Sequence, residues 1–226
     1  MRKITINLAA VAAFCIVVAS PALVSSSCAT PKTEQEDTTI IREDSGITAL
    51  KYSSPEVPAS IEFCGKTIDL SRFDRHERMD RELLAFTYMH STSLQMLKKA
   101  NRYFPIVEPI LKENGIPDDF KYLMVIESNM NPTARSSAGA AGLGQFMQGT
   151  GRDYGLEVNN NVDERYHIEK ATRAACRYLK DAYAKYKDWV AVAASYNAGQ
   201  ARIASQLAKQ DVDDSLDLQL VEETAR

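Results

Sequence analysis

Apolar positions recur at helical spacing through most of the body of this 226-residue chain. Leu83, Leu84, Phe86 and Met89 form a stripe beginning near Met79, and Met96, Leu97 and Tyr103 continue it. That spacing predicts amphipathic helices with one face on a core. Pro105 and Pro109 punctuate the next segment and Gly115 ends it. Ile116-Pro117-Asp118-Asp119 is a helix start, with proline early and acids at the positive end of the coming helix. The helix that follows puts Phe120, Leu123 and Glu127 on one face, and Pro132 stops it or closely follows its end. Ile168, Ala171, Ala175, Tyr178, Leu179, Ala182 and Tyr186 mark a further helix, and Asp188 is placed to cap a short one from Trp189 to Tyr196. A brief alternation around Ile61, Phe63 and Ile68 reads as a strand or an extended arm. No other convincing strand and no internal repeat is visible, so the pattern predicts a mainly α domain.

The ends of the chain read differently. Met1-Arg2-Lys3 is a short positive start, Ile4 to Val24 is almost wholly apolar, and Ser25-Ser26-Ser27-Cys28-Ala29 follows. This predicts a secretory signal peptide over 1–27, with Cys28 as the lipidated first residue of an exported lipoprotein. Leu23 and Val24 lie farther from Cys28 than a lipobox leucine usually does. Cleavage near Ala22 and an uncleaved anchor are the alternatives. Residues 28–58, rich in Thr, Glu, Asp, Ser and Pro, read as a flexible tether. The arm and first helices then occupy 59–103, the catalytic domain 104–210, and a C-terminal tail 211–226. For that tail, a truncated chain and a minimal domain are both open readings.

Composition narrows the function. With 45% hydrophobic and 25% charged residues, the chain has globular composition and enough length for one real core. A net charge of −3 gives no basic surplus for nucleic acid. Three histidines (His76, His90, His167) and no Cys-x-x-Cys give no zinc-site spacing. Cys64 and Cys176 remain in the body. In an oxidising compartment they could pair, or Cys176 could be a small buried hydrophobe.

Glu127 is the candidate for chemistry. It closes the hydrophobic run Tyr122-Leu123-Met124-Val125-Ile126. Burial there would raise its pKa and suit it to donate a proton near neutral pH. Six of the ten glycines lie between Gly139 and Gly155, and Ala194-Ser195-Tyr196-Asn197-Ala198-Gly199 follows downstream. An acid, a glycine-rich wall and a Tyr-Asn pair point to a sugar-cleaving groove. Glycosidases usually employ two carboxylates, yet from Ser128 to Arg152 there is no Asp or Glu. One carboxyl suffices where a hydroxyl of the substrate is the nucleophile, because a tethered nucleophile has a high effective concentration.

Glu127-Ser128, the segment Gly142-Leu143-Gly144-Gln145-Phe146-Met147 and the segment Ser195-Tyr196-Asn197-Ala198-Gly199 stand in an order and spacing that resemble the three motifs of the soluble-type lytic transglycosylase domain family. The likeness runs from about Phe104 to Ile203. It implies a lysozyme-like helical fold. It implies cleavage of the β-1,4 bond between N-acetylmuramic acid and N-acetylglucosamine in peptidoglycan glycan strands, with a 1,6-anhydro-muramoyl product and no metal or organic cofactor.

Carried onto these positions, the resemblance makes Glu127 the general acid and then the base. Ser128 would orient it or the substrate. Gln145 and Met147 would line the groove, and Tyr196 and Asn197 would contact the sugar or fix the carboxyl. Each has a plainer reading as well: local capping for Ser128, a satisfied buried phenol for Tyr196, a helix C-cap for Asn197, and core packing for Phe146. Asp163-Glu164-Arg165 reads as a structural ion-pair corner. Relatives usually carry tryptophan where Gly144 stands and proline where Gln148 stands, which implies a more open groove floor here. The rival readings are a hydrolytic muramidase, which needs Asp153 or Asp163 in the groove, and a non-catalytic peptidoglycan-binding scaffold. The predicted location is the periplasm of a Gram-negative bacterium, lipid-anchored at the outer membrane because Ala29, not an acidic residue, directly follows Cys28.

Overall fold

The computed structural model describes residues 54–210 and Ser215. The predicted signal peptide, Cys28 and most of the tether and tail lie outside the described residues. The domain is mainly helical, as the periodicity predicts. A hairpin of β1 (Ser60–Phe63) and β2 (Lys66–Asp69) comes first, antiparallel and in the register Ser60↔Asp69. Then follow α1 (Phe73–Tyr88), α2 (His90–Glu113), a 3-10 turn (Asp118–Phe120), α3 (Lys121–Ser128) and α4 (Gln148–Asp153). A second 3-10 turn (Glu164–Tyr166), α5 (Ile168–Tyr186), α6 (Trp189–Ala198) and α7 (Gln200–Gln210) complete the order.

The stripe from Met79 onward is two helices, broken at Met89. Leu83 and Met96 reach the core, whereas Leu84 and Met89 face outward. The prolines do not interrupt α2; the helix runs through Pro105 and Pro109. A proline in a helix frees the carbonyl four residues before it. These two are four apart on the exposed side, so the freed carbonyls of Asn101 and Pro105 lie on the water-facing side. Between them Phe104, Val107, Ile110 and Leu111 stay buried.

Helix α6 is the centre of the fold. Val190, Ala191, Val192, Ala193 and Ser195 are all buried, the pattern of a helix enclosed on every side. Asp188 caps it as predicted, accepting from the Val190 amide at 3.0 Å, and Gly199 ends it at φ 85°. Helix α5 packs against both α2 and α6. Its buried face carries Ala171, Ala174, Ala175 and Ala182, small side chains that let neighbouring backbones approach closely. Trp189 stacks on Tyr183 with ring centres 4.0 Å apart and meets the edge of Phe120 at 5.2 Å. Phe120 is almost wholly buried, a burial worth roughly 2–3 kcal/mol. The hairpin is tied to the same place, because the Cys64 amide donates to Asp119 at 2.6 Å. Cys64 and Cys176 do not pair with each other; Cys64 is half-buried in the hairpin, and Cys176 is part of the core.

Candidate active site around Glu127

Glu127 sits in the last turn of α3. Leu123, one turn earlier, and Phe120, a further turn back, face the same way, and all three line one small pocket. The pocket is closed by Leu179 of α5, Tyr196 of α6 and Gly144 of the glycine-rich loop. Its cavity volume is about 10 Å³, close to the least that holds one water. Among the described residues the Glu127 carboxyl makes no hydrogen bond or ion pair. Burial alone pushes its pKa up to about 8, so it keeps its proton at neutral pH. The negative end of the α3 dipole lies beside it and works in the same direction.

The chain turns sharply just after this acid. Asn129 and Met130 both take left-handed backbone, at φ 51° and 54°, a conformation that costs non-glycine residues about 1–2 kcal/mol each. Met130 is fully buried, which fixes the turn from inside.

The wall opposite is a tight hairpin. Ala141 and Phe146 exchange both backbone hydrogen bonds, at 3.0 and 3.1 Å, and Gly144 lies within the turn between them. Gly142 has no room for a side chain: a Cβ there would stand 1.8 Å from the Arg165 carbonyl, and its φ is +79°. Gln145, at φ 47°, turns its amide inward to donate to the Gly142 carbonyl at 2.8 Å and the Ala134 carbonyl at 3.3 Å.

The Tyr196 hydroxyl donates to the Gly144 carbonyl at 2.9 Å. Its ring meets Tyr178 edge-on at 5.2 Å and Phe146 at 6.2 Å. Burial and then the proximity of Glu127 hold this phenol well above its ordinary pKa. Tyr178 in turn donates to the Ser195 carbonyl at 2.9 Å, and burial pushes its own hydroxyl up to about 12. Tyr154 packs on its far side at 5.3 Å. A row of aromatic rings thus backs the pocket.

Arg165 sits beneath the hairpin and is 4% exposed. It grips Asp163 through two parallel bonds, Nε to Oδ1 at 2.9 Å and Nη2 to Oδ2 at 2.7 Å. Its Nη1 donates to the carbonyls of Gly139 at 2.8 Å and Phe146 at 3.0 Å. These bonds with Arg165 hold the Asp163 carboxyl below its ordinary pKa.

Against this geometry stand the comparisons with known proteins. The family model described as "Transglycosylase SLT domain" matches residues 105–217. The chain belongs to the transglycosylase SLT domain family. Over 128 residues this SLT chain is 30% identical to the membrane-bound lytic murein transglycosylase D of Escherichia coli (strain K12), covering 56% of this chain and 27% of that relative. Over 95 residues it is 33% identical to the peptidoglycan transglycosylase gp16 of Escherichia phage T7, covering 41% of this chain and 7% of that protein. The chain thus spans about a quarter of the length of the first of these curated relatives.

Within the SLT domain the residues predicted from sequence fall in different places. Glu127 and Tyr196 share the pocket. Ser128 is buried, and its hydroxyl donates to the Met124 carbonyl at 3.0 Å, a local bond within α3. Gln145 braces its own loop, and Met147, 45% exposed, stands just before α4 at its N-cap. Neither lines the Glu127 pocket. Asn197 is not the helix cap, which is Gly199; it lies inside α6 with a buried Nδ2 that has no hydrogen-bond partner. Phe146 is buried, packed with Leu156, Val158 and Ala175. The expected opening at Gly144 is absent, because the Tyr196 hydroxyl and the Phe146 ring fill the space a side chain there would need. Sequence reading missed two supports, Tyr178 and Arg165. The Asp163-Glu164-Arg165 ion-pair pattern pointed to the second without revealing what it holds.

Proposed function

We propose that this SLT domain is a peptidoglycan lytic transglycosylase that acts with a single catalytic carboxyl. One observation carries the reading: Glu127 is a partner-free, buried and protonated acid whose pocket holds no second carboxylate among the described residues. Neither candidate for the second carboxylate of a hydrolytic muramidase lines the Glu127 pocket. Asp163 is committed to Arg165, and Asp153 lines a surface depression with Arg177, Lys180 and Asp181.

The chemistry follows from one proton moving twice. Glu127 protonates the glycosidic oxygen as the bond to C1 of N-acetylmuramic acid breaks, releasing the hydroxyl of N-acetylglucosamine. The Glu127 carboxylate then takes the proton of the C6 hydroxyl of the same muramic ring. Its O6 bonds to C1, which closes the 1,6-anhydro ring and restores the acid without consuming water. The closed pocket suits the first step, because the buried carboxyl keeps its proton at neutral pH. In this reading Ser128, Gln145 and Met147 act through the shape of α3 and the loop, Tyr196 through the wall of the Glu127 pocket, and Asn197 would offer its unpartnered amide to the sugar.

Mass spectrometry of peptidoglycan digested with the parent protein and with Glu127→Gln tests the reading. Anhydro-muramoyl ends from the parent alone support it. Reducing ends would establish a hydrolase. Retained glycan binding by folded parent protein without any product would establish a scaffold.

The location belongs to the same proposal. Among the described residues no helix is long and apolar enough to cross a membrane, and the relative from Escherichia coli is membrane-bound by name. Lipidation at Cys28 would place the domain at the periplasmic face of the outer membrane. The mass of the mature protein, and its detergent partitioning with and without Cys28→Ala, tests this.

A further inference from the structure

We propose that Arg165, oriented by Asp163, is the positioning residue of the active-site floor: it ties Gly139 and Phe146 together so that Gly144 stays against Glu127 and Tyr196. The inference rests on the transglycosylase reading and assigns a task to a pair that never meets the substrate pocket.

The geometry is a chain of contacts. The bidentate bond to Asp163 fixes the plane of the guanidinium. The remaining nitrogen, Nη1, is then aimed at two carbonyls seven residues apart, Gly139 and Phe146. Phe146 is also the last residue of the hairpin that begins at Ala141, so holding its carbonyl sets where the turn lies. From the other side, the Arg165 carbonyl fills the space beside Gly142, and its stem packs 3.4 Å from where a Gly151 Cβ would stand. The loop is gripped on both sides. Within its turn, Gly144 presents its carbonyl to Tyr196 and closes the Glu127 pocket.

A lysine cannot replace this arrangement. Its ammonium is a point charge without the planar fork that binds one carboxylate and two carbonyls at once. With the loop released, water reaches Glu127. Apolar side chains face that carboxyl from α2 (Leu111), the first 3-10 turn (Phe120) and α5 (Ala175, Leu179), and Tyr196 of α6 is the titratable group among its neighbours. Among the described residues no cation offsets the burial, so admitting water lowers the pH at which the acid loses its proton.

The test compares the full chain with Arg165→Lys and with Asp163→Asn. Three quantities are read: kcat and KM for anhydro-product release, the upper limb of the pH profile of kcat/KM, and the Glu127 carboxyl titration by carbon-13 NMR. The expected result is a folded Arg165→Lys protein with kcat lower by about tenfold and KM changed less. Its pH limb and carboxyl titration both move down by about one unit. Asp163→Asn, which leaves the guanidinium and its carbonyl acceptors, moves both in the same direction by less. A folded variant whose carboxyl titration stays at the parent value overturns the proposal, whatever happens to its activity. If neither variant folds, the proposal is overturned too, because the pair would then be a requirement of the fold. Failure of the transglycosylase reading is separate: it appears as absent anhydro products from the parent, while the carboxyl titration still reads the clamp.

Discussion

The hydroxyl of Tyr196 lies 2.9 Å from the Gly144 carbonyl oxygen, and also 2.9 Å from where a Cβ on residue 144 would stand. The two positions, 52 residues apart, are therefore one fitting. Glycine at 144 is what lets the phenol reach the loop backbone. The phenol is not free to move aside, because Tyr178 and Phe146 hold its ring on two sides.

Gly144→Ala is expected to lower stability by about 1–3 kcal/mol, the usual cost of overpacking, and to lower turnover by about tenfold. Adding Tyr196→Phe removes the atom that the new methyl meets. The double variant should recover part of the lost stability, and a double-mutant cycle of thermal melts measures that coupling. Purely additive losses would separate the two residues.

Glu127 gives the protein a stability that depends on pH. Between the ordinary carboxyl value of 4.5 and about 8, the folded acid keeps a proton that the unfolded chain gives up. Stability therefore falls as pH rises through that window. Glu127→Gln removes the effect. The variant should melt close to the parent below about pH 4.5 and higher above about pH 8, by on the order of a few kcal/mol. Parallel melts across that range check it. The same titration predicts that parent activity falls above about pH 8, as the acid loses its proton.

The unpartnered amide of Asn197 is a cost to the folded domain. A buried donor without an acceptor loses about 1–3 kcal/mol of solvation. Asn197→Ala should therefore leave the melting temperature unchanged or raised, while glycan binding weakens several-fold. A large drop in melting temperature would show that the amide holds the fold instead. Melts alongside peptidoglycan pull-down distinguish the two.

The thiols differ in reach. Burial pushes Cys176 up to about 11 and leaves it no exposed surface, whereas Cys64 is partly open at the hairpin tip. In the folded domain Cys176 should stay unreactive toward a thiol reagent, and unfolding should expose it, which reagent titration of native and denatured protein checks.

Local signals were legible and contacts across the chain were not. The faces of α3 and α5, the Asp188 cap and the buried acid at the end of an apolar run all follow from spacing. Pro105 and Pro109 misled because proline's usual effect assumes a buried carbonyl, and here both freed carbonyls are on the exposed side of α2. Ser128 stands beside the acid in sequence, yet a helical serine can bond its own backbone one turn earlier, and it does. Gly144 read as open space because a missing side chain says nothing of which distant residue fills the gap. Arg165 looked like one half of an ion pair, while two of its bonds run to backbone carbonyls that carry no sequence signature.

The stacked pair of Trp189 and Tyr183 has an optical consequence. The sequence holds one tryptophan, and its ring touches Phe120, whose other side lines the Glu127 pocket. All indole emission from this protein therefore originates one ring away from the acid. Unfolding of the pocket wall, or entry of a sugar that shifts Phe120, becomes visible as a change in intrinsic fluorescence without any attached dye.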